Sequence, residues 1–387
     1  MKTQVTIKDI AKALNISIST VSRALQDHPD ISKKTKELVN QYAKEHHYRP
    51  NAIALSLKTK RTNIIGVIVP EIVHHFFSSV FAGIEDTANQ NGLSVIMCQT
   101  TEDYEKEVKC LETLQSARVC GVIASLSKNT TDYSHYKDIM EDNIPLVFFD
   151  RICPELKTDR VVTDDYNGAY MAVEHLIKGG SKRIVFFSAP SNMEISKNRE
   201  NGYIDALRSH SYPIDKSLIF ECDTKEKAIK LTPEVLNMEN RPDAFFCIND
   251  DTASGVLYAV KRSGLSVPED ISICGFGDGK VAKACDPALT TIEQNGYDMG
   301  VKACTLLINR IKNEEIKEAI TVYTKVLDMD PEFYEANANL GEIYRLDGDS
   351  NNAIKYFKKR NDKGTVIEDF SNAELNGIKI LNKICFA

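Results

Sequence analysis

The stretch "TIKDIAKALNISISTVSRALQ", residues 6–26, decides how the chain begins. Ile7, Ile10, Ala11 and Leu14 recur at helical spacing, with Thr6 placed as an N-cap and Asp9 three residues on. A break at Asn15–Ser17 separates this segment from a second amphipathic one, about 18–26, in which Val21 and Leu25 keep the apolar rhythm. Two short helices joined by a three-residue turn, with apolar seams at 10/14 and 21/25, predict a helix-turn-helix. A third helix within "SKKTKELVNQYAKEHHY" (32–48) is expected to bury Leu38, Val39, Tyr42 and Ala43.

The second helix crowds small hydroxyls beside one long cation. Ser17, Thr20 and Ser22 are short and stiff enough to hold phosphate oxygens while the helix axis stays close to a groove. Arg23 can place two donors on a guanine edge, and Ile18 and Ser19 stand at the helix N-terminus, where bases are met first. The plainer roles are packing for Ile18 and helix initiation for Ser19.

Charge points the same way. The chain of 387 residues carries a formal net charge of -7, yet residues 1–62 hold twelve Lys and Arg against five Asp and Glu, a net of +7 that leaves -14 for the remainder. A basic head on an acidic body suits a polyanion partner, the alternative being an ordinary lysine-rich surface. No signal-length apolar run opens the sequence and no eighteen-residue apolar run occurs, so the protein is read as soluble and cytoplasmic, without a membrane partner. The ten cysteines show no C-x-x-C pair, and Cys98, Cys247 and Cys274 sit in strand-like runs; buried free thiols are expected rather than disulfides or zinc.

From residue 6 to Pro70 the chain resembles the LacI/GalR family of bacterial repressors. V-S-R at 21–23, I-S-x-x-T at 31–35, Y-R-P-N at 48–51 and A-x-x-L at 54–57 carry the resemblance. It implies base reading by Ile18, Ser19 and Arg23, and phosphate contacts by Thr6, Ser17, Thr20, Ser22, Ser32 and Thr35. Domains are expected at 1–49 (helix-turn-helix), 50–62 (hinge helix and linker), 63–311 (effector-binding and dimerisation body) and 312–387 (helical tail). The hinge, too short to be a stable helix alone, is expected to order on DNA beside the partner subunit's copy. Asn51, Ala54, Leu57 and Lys58 would then face the minor groove, with Leu57 as a wedge between base steps and Ala54 permitting close approach. Without DNA the same segment reads as a flexible linker.

The body alternates apolar strands with amphipathic helices: "NIIGVIV", "LSVIMC", "VCGVIAS", "LVFFD", "RIVFFS", "DAFFCI" and "ISICGF". Continuously apolar strands predict parallel sheets covered on both faces, hence an α/β fold of two lobes with a ligand crevice at the strands' carboxyl ends. The resemblance implies a body like periplasmic sugar-binding proteins, crossed three times by the chain, with lobe one at about 63–162 plus 291–311 and lobe two at 163–290. Effector candidates follow strands: Phe76 and Phe77 (ring stacking, or lobe core), Asp164 and Asp165 (near a crossover, contacting ligand or hinge strand), Arg199 (resembling the family's effector arginine, or a surface salt bridge), Asn249 and Asp250. Where many relatives carry aspartate after "GF" or "GY", this chain has Gly277 with Asp278 next, which leaves the usual hydroxyl acceptor open. "GFGDGK" (275–280) fits neither phosphate-loop spacing, His74–His75 lacks the spacing of a helical metal pair, and no nucleophile–base set stands out. No catalytic residue, metal or cofactor is expected.

The family's usual terminus is replaced. In "EAITVYTKVLDMDPEFYEANANLGEIYRLDGDSNNAIKYFKKR" the pairs Ala319/Ala353, Ile320/Ile354, Tyr323/Phe357 and Lys325/Lys359 lie 34 residues apart, resembling a tetratricopeptide repeat of one unit and a half. It is either a protein-binding module or a fusion that leaves a sheet edge unpaired. The expected function is a homodimeric repressor whose operator affinity responds to a small molecule, a sugar or derivative. Alternatives are a purine-type co-repressor on the same architecture, or an adaptor that works through the tail.

Overall fold

The computed structural model describes residues 5–361, apart from Gln26, Pro29, His47, residues 49–61 and Asp330. The chain divides into two compact units, Met1–Thr62 and Asn63–Ala387.

In the first unit, α1 (Ile7–Leu14), α2 (Ile18–Leu25) and α3 (Lys33–Glu45) enclose a small core of Ile10, Ala11, Val21, Ala24, Val39 and Ala43. A capping box starts α1: Asp9 N–H donates to Thr6 Oγ1 at 3.3 Å, and Thr6 N–H donates to Asp9 Oδ2 at 2.9 Å. Asn15 ends it in the left-handed region at φ 51°, a conformation asparagine tolerates. Leu38, expected inside, is 49% exposed. Val39 and Ala43 lie one turn apart and fill the seam, and Leu38 is rotated about 100° away from Val39.

The second unit holds two five-stranded, wholly parallel sheets. Sheet one is ordered β2-β1-β3-β4-β5, from β1 (Ile64–Val69), β2 (Ser94–Gln99), β3 (Gly121–Ala124), β4 (Leu146–Phe149) and β5 (Asp159–Val161). Sheet two is ordered β10-β9-β8-β6-β7, from β6 (Ile184–Ser188), β7 (Ile219–Glu221), β8 (Ala244–Cys247), β9 (Ser272–Gly277) and β10 (Thr290–Glu293). Every residue of β4, β6 and β8 is buried, as strands covered on both faces require.

Sheet one is flanked by α4 (His75–Gln90), α5 (Tyr104–Ser116) and α6 (Ser134–Glu141). Sheet two is flanked by α7 (Asp165–Lys178), α8 (Glu194–Ser209), α9 (Lys225–Leu236) and α10 (Asp250–Arg262), with the short α11 (Lys280–Ala284) after β9. β10 pairs with β9 from Thr290↔Cys274 to Glu293↔Gly277, so the return to lobe one falls after Glu293 and not before residue 291. Among the described residues the chain crosses between lobes twice, after β5 and after β10; the third crossing implied by the resemblance is not found there.

What replaces it is α12 (Gly296–Met329), a single helix of 34 residues. Its first half belongs to the lobe-one core, where Met299, Ala303, Leu307 and Ile311 pack with Val80 and Ile84 of α4. Two glycines let the backbones touch: a Cβ on Gly83 would lie 2.1 Å from the Tyr297 carbonyl oxygen, and one on Gly300 2.0 Å from that of Val80. No glycine or proline stands between Gly300 and Pro331, so the helix runs unbroken through the expected domain boundary at 311/312.

α13 (Tyr334–Leu346) and α14 (Ser350–Asn361) complete the tail. The 34-residue rhythm is a contact pattern: Ala319 and Ala353 are buried, as are Ala336, Leu340 and Ile343. A Cβ on Gly341 would stand 2.7 Å from the Phe357 ring. Gly341→Val is therefore expected to weaken the α13–α14 pair by about 1–3 kcal/mol. Hydrogen exchange should show residues 334–357 losing protection while the two sheets keep theirs.

Candidate functional site

On the head, α2 turns one face outward. Ile18 and Ser22, and Ser19 and Arg23, are each four residues apart and so lie side by side, opposite buried Val21 and Ala24. Ile18 is 47% exposed, which removes it from the packing role. Ser17 caps the helix, accepting from Thr20 N–H at 3.0 Å, and its hydroxyl sits 2.7 Å from that of Ser19 and 2.8 Å from that of Thr20. Ser32 caps α3 in the same way, accepting from Thr35 N–H at 3.2 Å with the two hydroxyls 2.8 Å apart. Two neighbouring helices thus present exposed N-termini edged by hydroxyls, the local chemistry that attracts phosphate.

Thr6 differs from these. Its hydroxyl donates to Asp9 Oδ2 at 2.7 Å, and the side-chain and backbone hydrogen bonds from Thr6 hold that carboxyl below its ordinary range. The N-terminus of α1 already carries its own anion, so Thr6 serves as a cap first. Asn51, Ala54, Leu57 and Lys58 lie outside the described residues.

In the body, the strands' carboxyl ends bring together a polar set from both lobes. Arg199 on α8 is buried, with Nε 2.9 Å and Nη2 2.7 Å from Asp165 Oδ1. A third nitrogen, Nη1, donates to the Ile248 carbonyl, and the guanidinium lies 3.6 Å from the Phe276 ring centroid. This is a buried ion pair and not a surface one; it joins the starts of α7 and α8 to the end of β8. Asn249 caps α10, accepting from Thr252 N–H at 2.7 Å while its amide donates to the Asp223 carbonyl at 3.0 Å. Asp250 is buried and accepts from Gly279 N–H at 2.9 Å and Thr291 Oγ1 at 2.5 Å; burial pushes its carboxyl up. Asp278 is paired with Lys283 at 2.9 Å and stands in the left-handed region at φ 52°.

Three expectations shift. Phe77 is a core residue, 3% exposed and edge-on to Phe149, so it supports the site from beneath; the Arg151 guanidinium lies 5.4 Å from its ring centroid. Phe76 is half-buried against the same core. Asp164 is an exposed cap, its carboxylate taken by Asn167 N–H at 3.1 Å and the Asn167 amide at 2.6 Å.

Further polar groups at the strand ends carry no signal that the sequence reading used. Arg151, directly after β4, donates to both Glu102 carboxylate oxygens at 2.8 Å, and its neighbour Asp150 is buried with its carboxyl pushed up to about 6 by desolvation. Ser125 Oγ, Thr163 Oγ1, Ser196 Oγ and Arg151 Nε are buried with no hydrogen-bond partner in the protein. Ser125, Arg151 and Thr163 lie one or two residues past β3, β4 and β5, the positional signal that could have found them, whereas Ser196 stands in the first turn of α8.

Three contacts clasp the lobes across the cleft. Lys128 Nζ meets Asp223 Oδ2 at 2.6 Å, the Asn192 amide donates to the Lys128 carbonyl at 2.9 Å, and His74 Nδ1 lies 2.9 Å from Asp251 Oδ2. His74 Nε2 is also 2.9 Å from Glu71 Oε2. Both ring nitrogens face acceptor-only carboxylates, so the geometry calls for imidazolium. The Asp251 hydrogen bond raises the His74 pKa, and the same bond lowers that of Asp251.

A raised histidine stabilises the clasp fully below its ordinary value of about 6.5 and loses that contribution as pH rises through the raised one. A lowered aspartate contributes above about 4 and loses it as pH falls through the lowered value. The clasp is therefore expected to be strongest between those limits. Scattering from the wild-type protein should report opening as pH rises above about 6.5 through the raised His74 value, and His74→Gln should flatten that dependence.

A helix-turn-helix head carried with a two-lobed, periplasmic-binding-protein-like body defines a DNA-binding regulator of transcription. The chain belongs to the lacI family of bacterial regulatory proteins, whose profile matches residues 6–51. A periplasmic binding protein-like domain matches 173–327 and a tetratricopeptide repeat 334–359. The transcriptional repressor PurR of Vibrio atlanticus (strain LGP32) is 32% identical over 85% of this chain and 97% of its own. The lac repressor dimer bound to operator and the anti-inducer ONPF is 26% identical with a TM-score of 0.71, covering 80% of this chain and 93% of that one. The regulator CelR in complex with cellobiose is 25% identical with a TM-score of 0.61, covering 80% and 94%. No described helix is long and apolar enough to cross a membrane. Among the described residues, no group of three or more His, Cys, Asp or Glu could hold a metal ion.

Proposed function

We propose that the chain is a dimeric repressor that reads an operator through Ile18, Ser19 and Arg23 and grips phosphates through Ser17, Thr20, Ser22, Ser32 and Thr35. The division of labour follows the expected segments: a reading head (1–49), a hinge (50–62) whose Asn51, Ala54, Leu57 and Lys58 meet the minor groove, a sensing body, and a tail. The paired hydroxyl-edged N-termini of α2 and α3 support this assignment. A two-fold dimer places two heads on two half-sites, so the operator is a near-palindrome.

The body senses a small polyhydroxylated molecule, a sugar or derivative. The observation that carries this is a set of buried hydroxyls with no partner in the protein: Ser125 and Thr163 just past the ends of β3 and β5, and Ser196 in the first turn of α8. Such atoms cost free energy unless something pairs with them, and a polyol offers donors and acceptors in number. The cellobiose complex of a similar regulator supports the same class. Asp165 and Arg199 anchor one wall, and Arg151, Asn249 and Asp250 supply charged and amide contacts. Ligand bound between the lobes strengthens the closed arrangement and so changes operator affinity, and by linkage DNA changes ligand affinity by the same factor.

Thermal-shift screening of sugars and nucleobases on the full chain tests the class. A compound present at a hundred times its Kd should stabilise the body by about 2.7 kcal/mol. Stabilisation by nucleobases alone would replace the sugar reading with a purine-type ligand.

A further inference from the structure

One pair of cysteines stands apart from the rest. β2 is an edge strand of sheet one, and its residues Ile96 and Cys98 pack into the cluster beneath α5 while Val95 joins the opposite core. From α5, Cys110 aims at that strand: its Sγ donates to the Gln99 carbonyl at 3.8 Å, one residue past Cys98. Cys98 and Cys110 pack against the same apolar cluster between β2 and α5. Both are half-buried, whereas six of the other described cysteines are buried. Cys98 was expected to be a buried core thiol like Cys247 and Cys274; its place on an edge strand makes it reachable.

We infer that Cys98 and Cys110 form a reversible dithiol–disulfide site in lobe one, oxidised by hydrogen peroxide. The Cys98 thiolate attacks one peroxide oxygen, the O–O bond breaks, and the departing hydroxide takes up a proton to leave as water. The Cys110 thiol then attacks the sulfenic sulfur of Cys98; the S–S bond forms, the S–O bond breaks, and the departing hydroxide takes the Cys110 proton to leave as a second water. Two thiols lose two electrons and one peroxide gains them. Cys110 beside it lowers the Cys98 thiol while its own is raised, which makes Cys98 the attacking sulfur and Cys110 the resolving one.

The bond ties the edge strand to α5. That helix carries buried Glu107, which accepts from Ser127 N–H at 2.7 Å and Thr130 Oγ1 at 2.9 Å and lies 3.0 Å from His135 Nε2. Those contacts hold the loop bearing Lys128, which reaches Asp223 in lobe two. Oxidation therefore acts on the element that anchors one interlobe contact.

Peptide mapping of the full chain tests this. After one equivalent of hydrogen peroxide the intact mass should fall by two hydrogen atoms, and unreduced tryptic digestion should recover the Cys98 and Cys110 peptides joined. Dithiothreitol should reverse both changes. Alkylation at pH 7 should label Cys98 at least about tenfold faster than half-buried Cys285, whose thiol is raised by burial. Cys110→Ser should abolish the mass loss and leave Cys98 oxidised alone. A wild-type digest with no joined peptide, or with the link between other cysteines, overturns the inference, as does Cys98→Ser that still loses two hydrogens.

Discussion

Asp165→Ala is expected to destabilise the body by about 3–5 kcal/mol, the cost of leaving one member of a buried ion pair uncompensated. Arg199 would keep the Ile248 carbonyl and the Phe276 face but lose the carboxylate that two of its nitrogens share. Its charge cannot reach water, because the side chain is 4% exposed. The pair also joins three segments, so the damage should spread to the starts of α7 and α8 and to the end of β8. Replacing both residues, Asp165→Ala with Arg199→Met, removes the stranded charge and is expected to recover much of the loss. Calorimetric melting of the full chain should show the body's transition falling in the single variant and returning in the double. Equal losses in both would mean that packing, and not charge, dominates the position.

Arg23→Ala is expected to cost about 1–3 kcal/mol in operator affinity, the worth of a bidentate contact to a base edge. Its signature is selective: preference should relax at one base position per half-site while binding to unrelated duplex weakens little. Ser32→Ala, at a phosphate-facing cap, should weaken binding to all sequences alike. The two outcomes together separate reading from gripping. The head's fold should survive Arg23→Ala, because Arg23 lies outside the buried seam of Val21 and Ala24.

The head was legible because its cues are local. Thr6 with Asp9 and the 10/14 and 21/25 seams are short-range patterns, and each became a cap or a core contact. The parallel sheets were legible for a related reason: runs such as "LVFF" and "AFFC" are apolar at every position and belong only inside a doubly covered sheet. What the pattern could not resolve was which side of a chain position faces a distant neighbour. Leu38 and Phe77 are equally apolar, yet one points out and the other in. Asp164 and Asp165 are chemically alike, yet the first caps its own helix and the second meets Arg199, 34 residues away. His74 found its lobe-two partner 177 residues on, a pairing no local spacing encodes. The tail's rhythm was readable, but not that α12 would carry it without a break.

Under the proposed function, operator binding is coupled to occupancy of the interlobe cleft. This coupling is tested most directly by measuring the affinity of the full chain for a duplex selected from genomic fragments at low salt, with and without the stabilising compound from the thermal screen. The expected result is a near-palindromic duplex whose affinity shifts when the compound is added, with the compound's own affinity shifted by the same factor when the duplex is present. A duplex affinity that stays unchanged while the compound saturates the body would contradict it.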